Sequence, residues 1–211
     1  MRFLPLPLVI AALLAPSTAR ALFHLWDITE VYSNADGTVQ FIELATTSNG
    51  QDELTGHTLQ SDLVTYTFPT DLDPDALGNG NDATANRRML VATPAFASQP
   101  GAVTPDFVLD GPAFFDFVQD SVDFASVNAF AWTSDALPTN GIDSLHEPFG
   151  SNTRTVATNS PTNFAGEVGE LPEPSGLAAL LAGGAAALGL ARRREKASVR
   201  RQQLAPSTPD C

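Results

Sequence analysis

Short runs of strand-forming residues, separated by turn residues, most constrain the fold of this 211-residue chain. The clearest unit is FHLWDITEVYSNADGTVQFIELATT, residues 23–47, in which two such runs flank Asn34-Ala35-Asp36-Gly37. A connection of this composition, with glycine placed for a positive φ, is typical of a β-hairpin. Helical periodicity is scarce between the two ends of the chain. The sequence therefore predicts an all-β body.

Eight further segments have the composition and length of strands. They are Gly56–Gln60, Leu63–Phe68, Arg88–Ala92, Phe107–Leu109, Phe114–Phe117, Val122–Phe124, Val127–Trp132 and Thr153–Ala157. Short strands at this spacing indicate a sandwich or a barrel rather than a parallel sheet. Pro94–Gln99 is predicted to form a single helical turn that begins with proline.

The opening hairpin resembles the start of lamin-tail-like domains. In that family a strand ending in Glu-Val is followed by a strand reading Phe-Ile-Glu-Leu and by a Leu-x-Gly-x-x-Leu element. The matching positions are Glu30-Val31, Phe41-Ile42-Glu43-Leu44, and Leu54, Gly56 and Leu59. The resemblance implies an immunoglobulin-like β-sandwich of the kind found as an accessory module on secreted bacterial proteins. The later stretch NSPTNFAGEVGE looks like uncharacterised secreted bacterial proteins with the same hairpin, so no activity is implied.

The N-terminus, residues 1–21, has the layout of a signal peptide. Arg2 is followed by an apolar core from Phe3 to Ala15 and by the small-x-small site Ala19-Arg20-Ala21. This pattern predicts export and a mature chain that begins at Leu22. The alternative, a retained membrane helix, is less favoured because the apolar core is too short to span a bilayer and contains two prolines. Residues 22–170 then form the ectodomain.

The C-terminal region contains an uncharged segment, residues 176–191, that is rich in Leu, Ala and Gly. As a helix its sixteen residues would extend about 24 Å, slightly less than the apolar thickness of a bilayer. Arg192, Arg193 and Arg194 follow at once, and such a cluster holds its end of a membrane helix in the cytoplasm. The order predicts a single transmembrane helix with the exported body outside.

Three features in sequence, Pro172-Glu173-Pro174, the apolar segment and the arginines, resemble the PEP-CTERM sorting signal of Gram-negative bacteria, here residues 171–194. The resemblance implies that an inner-membrane exosortase recognises Pro172, Glu173 and Pro174 after Sec-dependent export. It would cleave near them and transfer the protein to the cell surface or the exopolysaccharide matrix, leaving residues 176–194 behind. Family members usually stop soon after the arginines, whereas residues 195–211 extend this chain as what we expect to be a basic, disordered cytoplasmic tail.

Charge is distributed unevenly along the chain. Residues 22–170 carry 21 Asp or Glu side chains against three arginines, a balance of −18. Because phosphate neutralisation needs clustered Lys and Arg, this balance argues against nucleic acid as a partner. Cations and polar polymers such as exopolysaccharide are easier partners for an acidic surface. The single cysteine, Cys211, is the last residue, so no internal disulfide can form.

Two glutamates of the hairpin form a possible acidic pair. If the hairpin is symmetric about Ala35 and Asp36, then Glu30 faces Phe41 and Glu43 faces Ile28, and both glutamates are diagonal neighbours on one face. Such a pair could bind a cation or perform acid–base chemistry. Alternatively, each glutamate accepts backbone or hydroxyl hydrogen bonds at the rim of the sandwich, or a one-residue change of register separates them.

The stretch DLDPDALGNGND, residues 71–82, is the best candidate for a metal site. Asp71, Asp73 and Asp75 alternate so that three carboxylates can face one hard cation, with Asn79 and Asp82 available to complete the loop. Calcium is therefore the one cofactor that the sequence suggests. It is not an EF-hand, because Ala76 occupies the position that requires glycine. A solvated acidic loop is the alternative.

Patterns typical of catalysis are not found in the sequence. The chain has no Gly-x-Ser-x-Gly motif, no phosphate-binding glycine loop after a strand, and three histidines without ligand spacing. We therefore expect a non-catalytic binding or structural module on the cell surface or in the extracellular matrix. Two alternatives are a calcium-stabilised glycan-binding adhesin and, from a different class, a hydrolase of polysaccharides that uses the abundant carboxylates.

Overall fold

The computed structural model describes residues 23–74, 83–133, 136–169 and 171. The elements in these ranges, in chain order, are β1 (Asp27–Ser33), β2 (Gln40–Thr46), β3 (Thr58–Gln60), β4 (Thr65–Thr67), β5 (Arg87–Ala92), α1 (Pro94–Ala97), β6 (Phe107–Val108), β7 (Asp120–Phe124), β8 (Asn128–Trp132), β9 (Asp143–His146) and β10 (Thr155–Thr158). The regular secondary structure of the described body is therefore almost entirely β, as the sequence predicts. The predicted signal helix and transmembrane helix lie outside the described residues.

The strands form two sheets that pack face to face. The larger sheet has the order β10-β9-β1-β2-β5-β6, in which only β5 and β6 run parallel, and the smaller sheet has the order β4-β3-β7-β8. Side chains from the facing surfaces, including Ile42 and Val91 from the larger sheet and Val122 and Phe124 from the smaller one, form one buried cluster. This core between two sheets is the arrangement of a β-sandwich.

The hairpin of β1 and β2 has a longer loop and a different register from the symmetric one expected. Gly37 has a φ of +73°, as its place in the turn predicts, but the loop closes between Asn34 and Val39, whose N–H and C=O groups bond at 3.0 Å. A bulge at Thr29 then shifts the pairing between Ile28 and Glu30. Because the bulge adds one residue to β1, Ile28 and Val31 both enter the core, while Glu30 lies on the opposite face.

Two other local predictions differ from the structure, and one is confirmed. The prediction that Phe114–Phe117 forms a strand is wrong. The side-chain amide of Gln40 forms hydrogen bonds with the backbone at Phe114 and Phe115, so this segment needs no partner strand. Strand β9 was not expected, since DSLH has only one strand-forming apolar residue; pairing with β1 and β10 holds it in place. Helical turn α1 begins at Pro94, as predicted.

The outer face of the larger sheet is covered as well. Tyr32, Phe41, Leu90 and Ala92 point away from the sandwich core and pack in a second buried cluster. The chain that covers them comes from the region after β5 (Phe96 and Val103) and from the end of the described chain (Leu171). The larger sheet is therefore buried on both faces at its centre.

Candidate functional site

We name the described residues 160–169, together with Leu171, the strap; they follow β10, and their backbone lies against carboxylates on the outer face of the larger sheet. Alternate backbone N–H groups of the strap each donate to a carboxylate beneath it. The pairs are Ser160 N to Glu30 Oε1 at 2.9 Å, Thr162 N to Glu43 Oε2 at 2.9 Å, and Phe164 N to Asp106 Oδ2 at 2.9 Å. Three acids from separate parts of the chain thus hold one segment.

Glu30 lies on β1 and is almost fully buried, with 1% of its surface exposed. Its carboxylate accepts hydrogen bonds from the Ser144 hydroxyl at 2.6 Å, from the Ser160 N–H and from the Ser160 hydroxyl at 3.1 Å. The Nε2 atom of His146 is 3.6 Å from Oε1. A buried carboxylate needs such donors because it has lost its hydration shell, and here β9 and the strap supply them.

Glu43 lies directly opposite Glu30 on β2 and has no exposed surface. It accepts hydrogen bonds from the Thr29 hydroxyl at 3.0 Å, from the Thr162 N–H and from the guanidinium of Arg88. Burial and, secondly, the charge of Glu30 raise the pKa of Glu43 from 4.5 to about 7, although Arg88 and Thr29 act in the opposite direction. Desolvation is therefore the dominant effect at this site.

We call the three bonds from strap N–H groups to Glu30, Glu43 and Asp106 the ladder; Asp106, beside β5, is its last acid. Both of its carboxylate oxygens accept the Phe164 N–H, at 3.1 and 2.9 Å, and Oδ2 also accepts the Leu90 N–H at 2.7 Å. Burial raises the pKa of Asp106 from 3.8 to about 6 in spite of these bonds, and the charge of Glu167 adds to the rise. Two of the three carboxylates under the strap thus bind protons more tightly than they would in water.

Ser144, His146 and Glu30 are close together but do not have the geometry of a catalytic triad. A triad histidine uses one ring nitrogen for the nucleophile and the other for the acid. Here Nε2 of His146 contacts both the Ser144 hydroxyl, at 2.8 Å, and Glu30, at 3.6 Å. The hydroxyl donates to Glu30, and Ser144 is fully buried. Ser144 and His146 therefore belong to a hydrogen-bond network that supplies partners for the buried carboxylate of Glu30.

Two buried apolar side chains, Phe164 and Leu171, hold the strap against the body. Phe164 is 4% exposed and joins the core between the sheets, while Leu171 is 8% exposed and joins the cluster on the outer face. Near Leu171, a Cβ atom on Gly169 would lie 2.5 Å from Val103 Cγ1 and 3.0 Å from its backbone nitrogen. The strap therefore approaches the 101–103 segment as closely as a chain without a side chain allows.

The sequence identifies the two glutamates but not the ladder that they form. Glu30 and Glu43 are directly opposed rather than diagonal, which corrects the expected register, and each accepts backbone and hydroxyl bonds, as in the second interpretation. Asp106 and the strap were not predicted to take part. No short motif links Thr162 to Glu43, because 119 positions separate them.

The predicted calcium site lies mostly outside the described residues. Asp75, Asn79 and Asp82 are among the residues without a description, while Asp71 accepts the N–H and the hydroxyl of Thr55, each at 2.7 Å. These bonds lower the pKa of Asp71. In the described part of the chain, no group of three or more His, Cys, Asp or Glu side chains is arranged to hold a metal ion. The calcium site stays a prediction.

A surface cavity of about 460 Å³ opens beside β8 and β9. The Arg154 guanidinium in its wall lies 4.5 Å from the ring centroid of Phe130, donates to the Ala131 carbonyl at 2.6 Å and pairs with Glu147 at 2.8 Å. The cavity is lined by Ala131, Trp132, Thr133, Ala136, Leu145 and Arg154. Because Glu147 already balances the charge of Arg154, this cavity fits a neutral ligand better than an anion.

The residues predicted to direct sorting, Pro172, Glu173, Pro174, Arg192, Arg193 and Arg194, lie outside the described residues. Among the described residues, no helix has the length and hydrophobicity needed to cross a membrane. Comparison of the chain with known protein families, with curated proteins and with solved structures found no match in any of the three.

Proposed function

We propose that this chain is an exported protein of the cell surface or extracellular matrix, sorted through Pro172, Glu173 and Pro174, whose β-sandwich is a non-catalytic binding or structural module. The observation that carries the proposal is the order of segments. An acidic all-β body, described from Phe23 to Leu171, lies between a signal-peptide pattern and a Pro-Glu-Pro, apolar and arginine pattern. Export followed by capture at the inner membrane is the route for which this order is suited.

The body is proposed to be lamin-tail-like, with an immunoglobulin-like arrangement. Two packed sheets of six and four strands support this assignment. The residues that carry the resemblance also have structural roles: Ile42, Leu44, Leu54 and Leu59 are fully buried in the core between the sheets. Glu43, the polar residue of the Phe-Ile-Glu-Leu strand, holds the strap.

A non-catalytic role is supported by the use that the body makes of its acids. Carboxylate oxygens of the two hairpin glutamates and of Asp106 accept hydrogen bonds from backbone N–H groups of the strap. A general acid or base must instead reach a bound substrate. With the strap in place both glutamates are covered, and their exposed fractions of 1% and 0% leave no surface for a sugar to contact in this arrangement.

Mass spectrometry of both termini of the native protein tests the proposal. We expect a surface or matrix fraction that begins at Leu22 and lacks Cys211, because the signal peptide and the segment after the sorting motif are both removed. The same cells without their exosortase serve as the control and should retain Cys211. A full-length chain in the cytosol, with Met1 present, would contradict both export and sorting.

A second candidate function, a calcium-stabilised glycan adhesin, is favoured by one observation. Asp71 and Asp73, two of the predicted ligands, line the same cavity of about 240 Å³. A cation that binds only the folded state must raise the melting temperature. Melting should therefore be compared in millimolar calcium and in a chelator, for the native chain and for Asp73→Asn. An equal melting temperature in calcium and in chelator would remove this candidate.

A further inference from the structure

The strap is held to the body differently from any strand. Among the described residues from Ser160 to Gly169, its backbone hydrogen bonds run within the strap, as from Gly169 N to Pro161 O at 2.9 Å, to carboxylate side chains, or to the Arg87 guanidinium. No backbone group of β1 or β2 pairs with it. The strap can therefore leave the body without breaking a backbone bond of the larger sheet, although Phe164 must then leave the core between the sheets.

Charge beneath the strap is costly in the closed state. Glu43 faces Glu30 across the hairpin, with Arg88 of β5 as its cation, and His146 of β9 lies beside Glu30. These groups meet under a cover that excludes water, so the like charges of the two glutamates are poorly screened. Opening the strap would return both carboxylates to water.

The other end of the ladder has the same arrangement. Asp106 receives the Phe164 N–H, Glu167 of the strap adds a like charge, and Arg87 of β5 lies over the Phe164 ring at 5.8 Å and bonds to the Phe164 carbonyl at 3.3 Å. In the described part of the chain, Arg87 forms no salt bridge with Asp106. Ionised Asp106 is thus also more easily accommodated when the strap is open.

We propose that the strap opens as a unit while the sandwich stays folded, and that loss of protons from Glu43 and Asp106, which accept its N–H groups, promotes this opening. The direction in which pH changes the opening follows from proton linkage. The closed state holds protons on Glu43 and Asp106 more tightly than a hydrated carboxylate does, so opening releases protons and is favoured as pH rises. The effect is absent below the ordinary values of 4.5 and 3.8 and is complete above about 7.

The consequence concerns presentation of the sorting motif, and this part rests on the function proposed above. With the strap closed, buried Leu171 directly precedes Pro172, so the motif begins immediately after a residue that is packed against the body. An open strap would place thirteen residues, 159–171, between β10 and the motif. Thirteen residues reach at most about 45 Å when extended. The opening would therefore let a membrane enzyme reach the motif while an acidic body stays clear of the bilayer surface.

Amide hydrogen exchange of the full-length chain in mild detergent, followed residue by residue, tests the opening without depending on sorting. Protection factors, corrected for intrinsic exchange, are compared between strap amides (Ser160, Thr162 and Phe164) and β2 amides (Ile42 and Leu44). We expect lower protection in the strap than in β2 at every pH. Between pH 5 and pH 8 the strap protection should fall by roughly tenfold or more.

Glu43→Gln is the test variant, since glutamine keeps the shape and the acceptor oxygen but cannot ionise. Its strap protection should change much less with pH than that of the native chain. Asp62→Asn, at an exposed acid between β3 and β4, is the matched control and should behave like the native chain. Equal protection of strap and β2, strap protection that does not fall with pH, or a native pH response in Glu43→Gln would each overturn the proposal. Failure of C-terminal processing with these exchange results intact would instead reject sorting alone.

Discussion

The two faces of the larger sheet are both buried, but by different means. The inner face meets the smaller sheet through side chains such as Ile42, Leu44 and Val91, which have no exposed surface and no charge. The outer face combines an apolar cluster with the carboxylates of Glu30 and Glu43 under the strap. The free energy gained by apolar burial is insensitive to pH, whereas a buried carboxylate stabilises or destabilises the folded state according to whether it is protonated.

This difference separates a permanent part of the molecule from an adjustable one. The inner face holds the sandwich together at any pH, because the burial of apolar side chains away from water does not depend on charge. The outer face can be loosened by a change of charge, and the strap that covers it directly precedes Pro172-Glu173-Pro174 in the sequence. Variants at the two faces should therefore differ in the size of their effects and in how those effects depend on pH.

The largest effect is expected on the inner face. Ile42→Ala removes a fully buried side chain from the core between the sheets and should lower the free energy of unfolding by about 2–5 kcal/mol, equally at pH 5 and pH 8. Urea denaturation at the two pH values measures both. Leu171→Ala, on the outer face, should cost less, because a strap that opens independently cannot lose more than its own closing free energy. Equal losses of unfolding free energy in Ile42→Ala and Leu171→Ala would contradict the proposed difference between the two faces.

Arg88→Gln should have a smaller and pH-dependent effect. It removes the cation that faces Glu43 and should lower the free energy of unfolding by about 1–3 kcal/mol at pH 8. At pH 5 the loss should be smaller, since Glu43 is then mostly neutral. Arg87→Gln is the control: Arg87 contacts Phe164 and no carboxylate in the described chain, so its cost should not vary with pH.

Gly169→Ala should loosen the strap without touching a charge. The added Cβ would overlap Val103, so the strap must shift, at a cost of about 1–3 kcal/mol in strap closing. Hydrogen exchange should show lost protection in the strap and native protection in β2. Val168→Ala, a neighbouring change at a side chain that is 66% exposed, should leave both regions as they are. Lost protection in β2 would indicate that the strap is part of the sandwich core.

The smallest effect is expected at an exposed acid. Asp62→Asn should change the free energy of unfolding by less than about 0.5 kcal/mol at either pH, because its side chain lies in solvent on the turn between β3 and β4. Thermal melting in matched buffers is sufficient to measure it. A shift as large as that of Arg88→Gln would mean that overall charge, rather than the ladder, governs stability.

Local patterns in the sequence were informative where neighbours along the chain decide the structure. The hairpin, its glycine at position 37 and the proline at the start of α1 follow from nearby residues. The bulge at Thr29 could not be read in this way, because the core selects which residues of β1 point inward. Phe114–Phe117 has strand composition, yet a glutamine from β2 takes the place of a partner strand.

The candidate site depended still more on distant contacts. The glutamates were visible as a pair, but the groups that bury them come from β9 and from the strap, more than a hundred positions away from each. A segment such as NSPTNF has no periodicity that predicts docking on a sheet. Only the folded chain brings its alternate N–H groups above three acids.

The free energy of unfolding as a function of pH, for the native chain and for Glu43→Gln, tests the central claim most directly. Raised pKa values of Glu43 and Asp106 mean that the folded state binds protons more tightly than the unfolded state, so stability is lost as pH rises. We predict a loss on the order of 1–3 kcal/mol between pH 5 and pH 8 in the native chain, and a flatter curve for Glu43→Gln that lies higher at pH 8. Native stability that increases across this range, or a Glu43→Gln chain less stable than the native one at pH 8, would contradict the account.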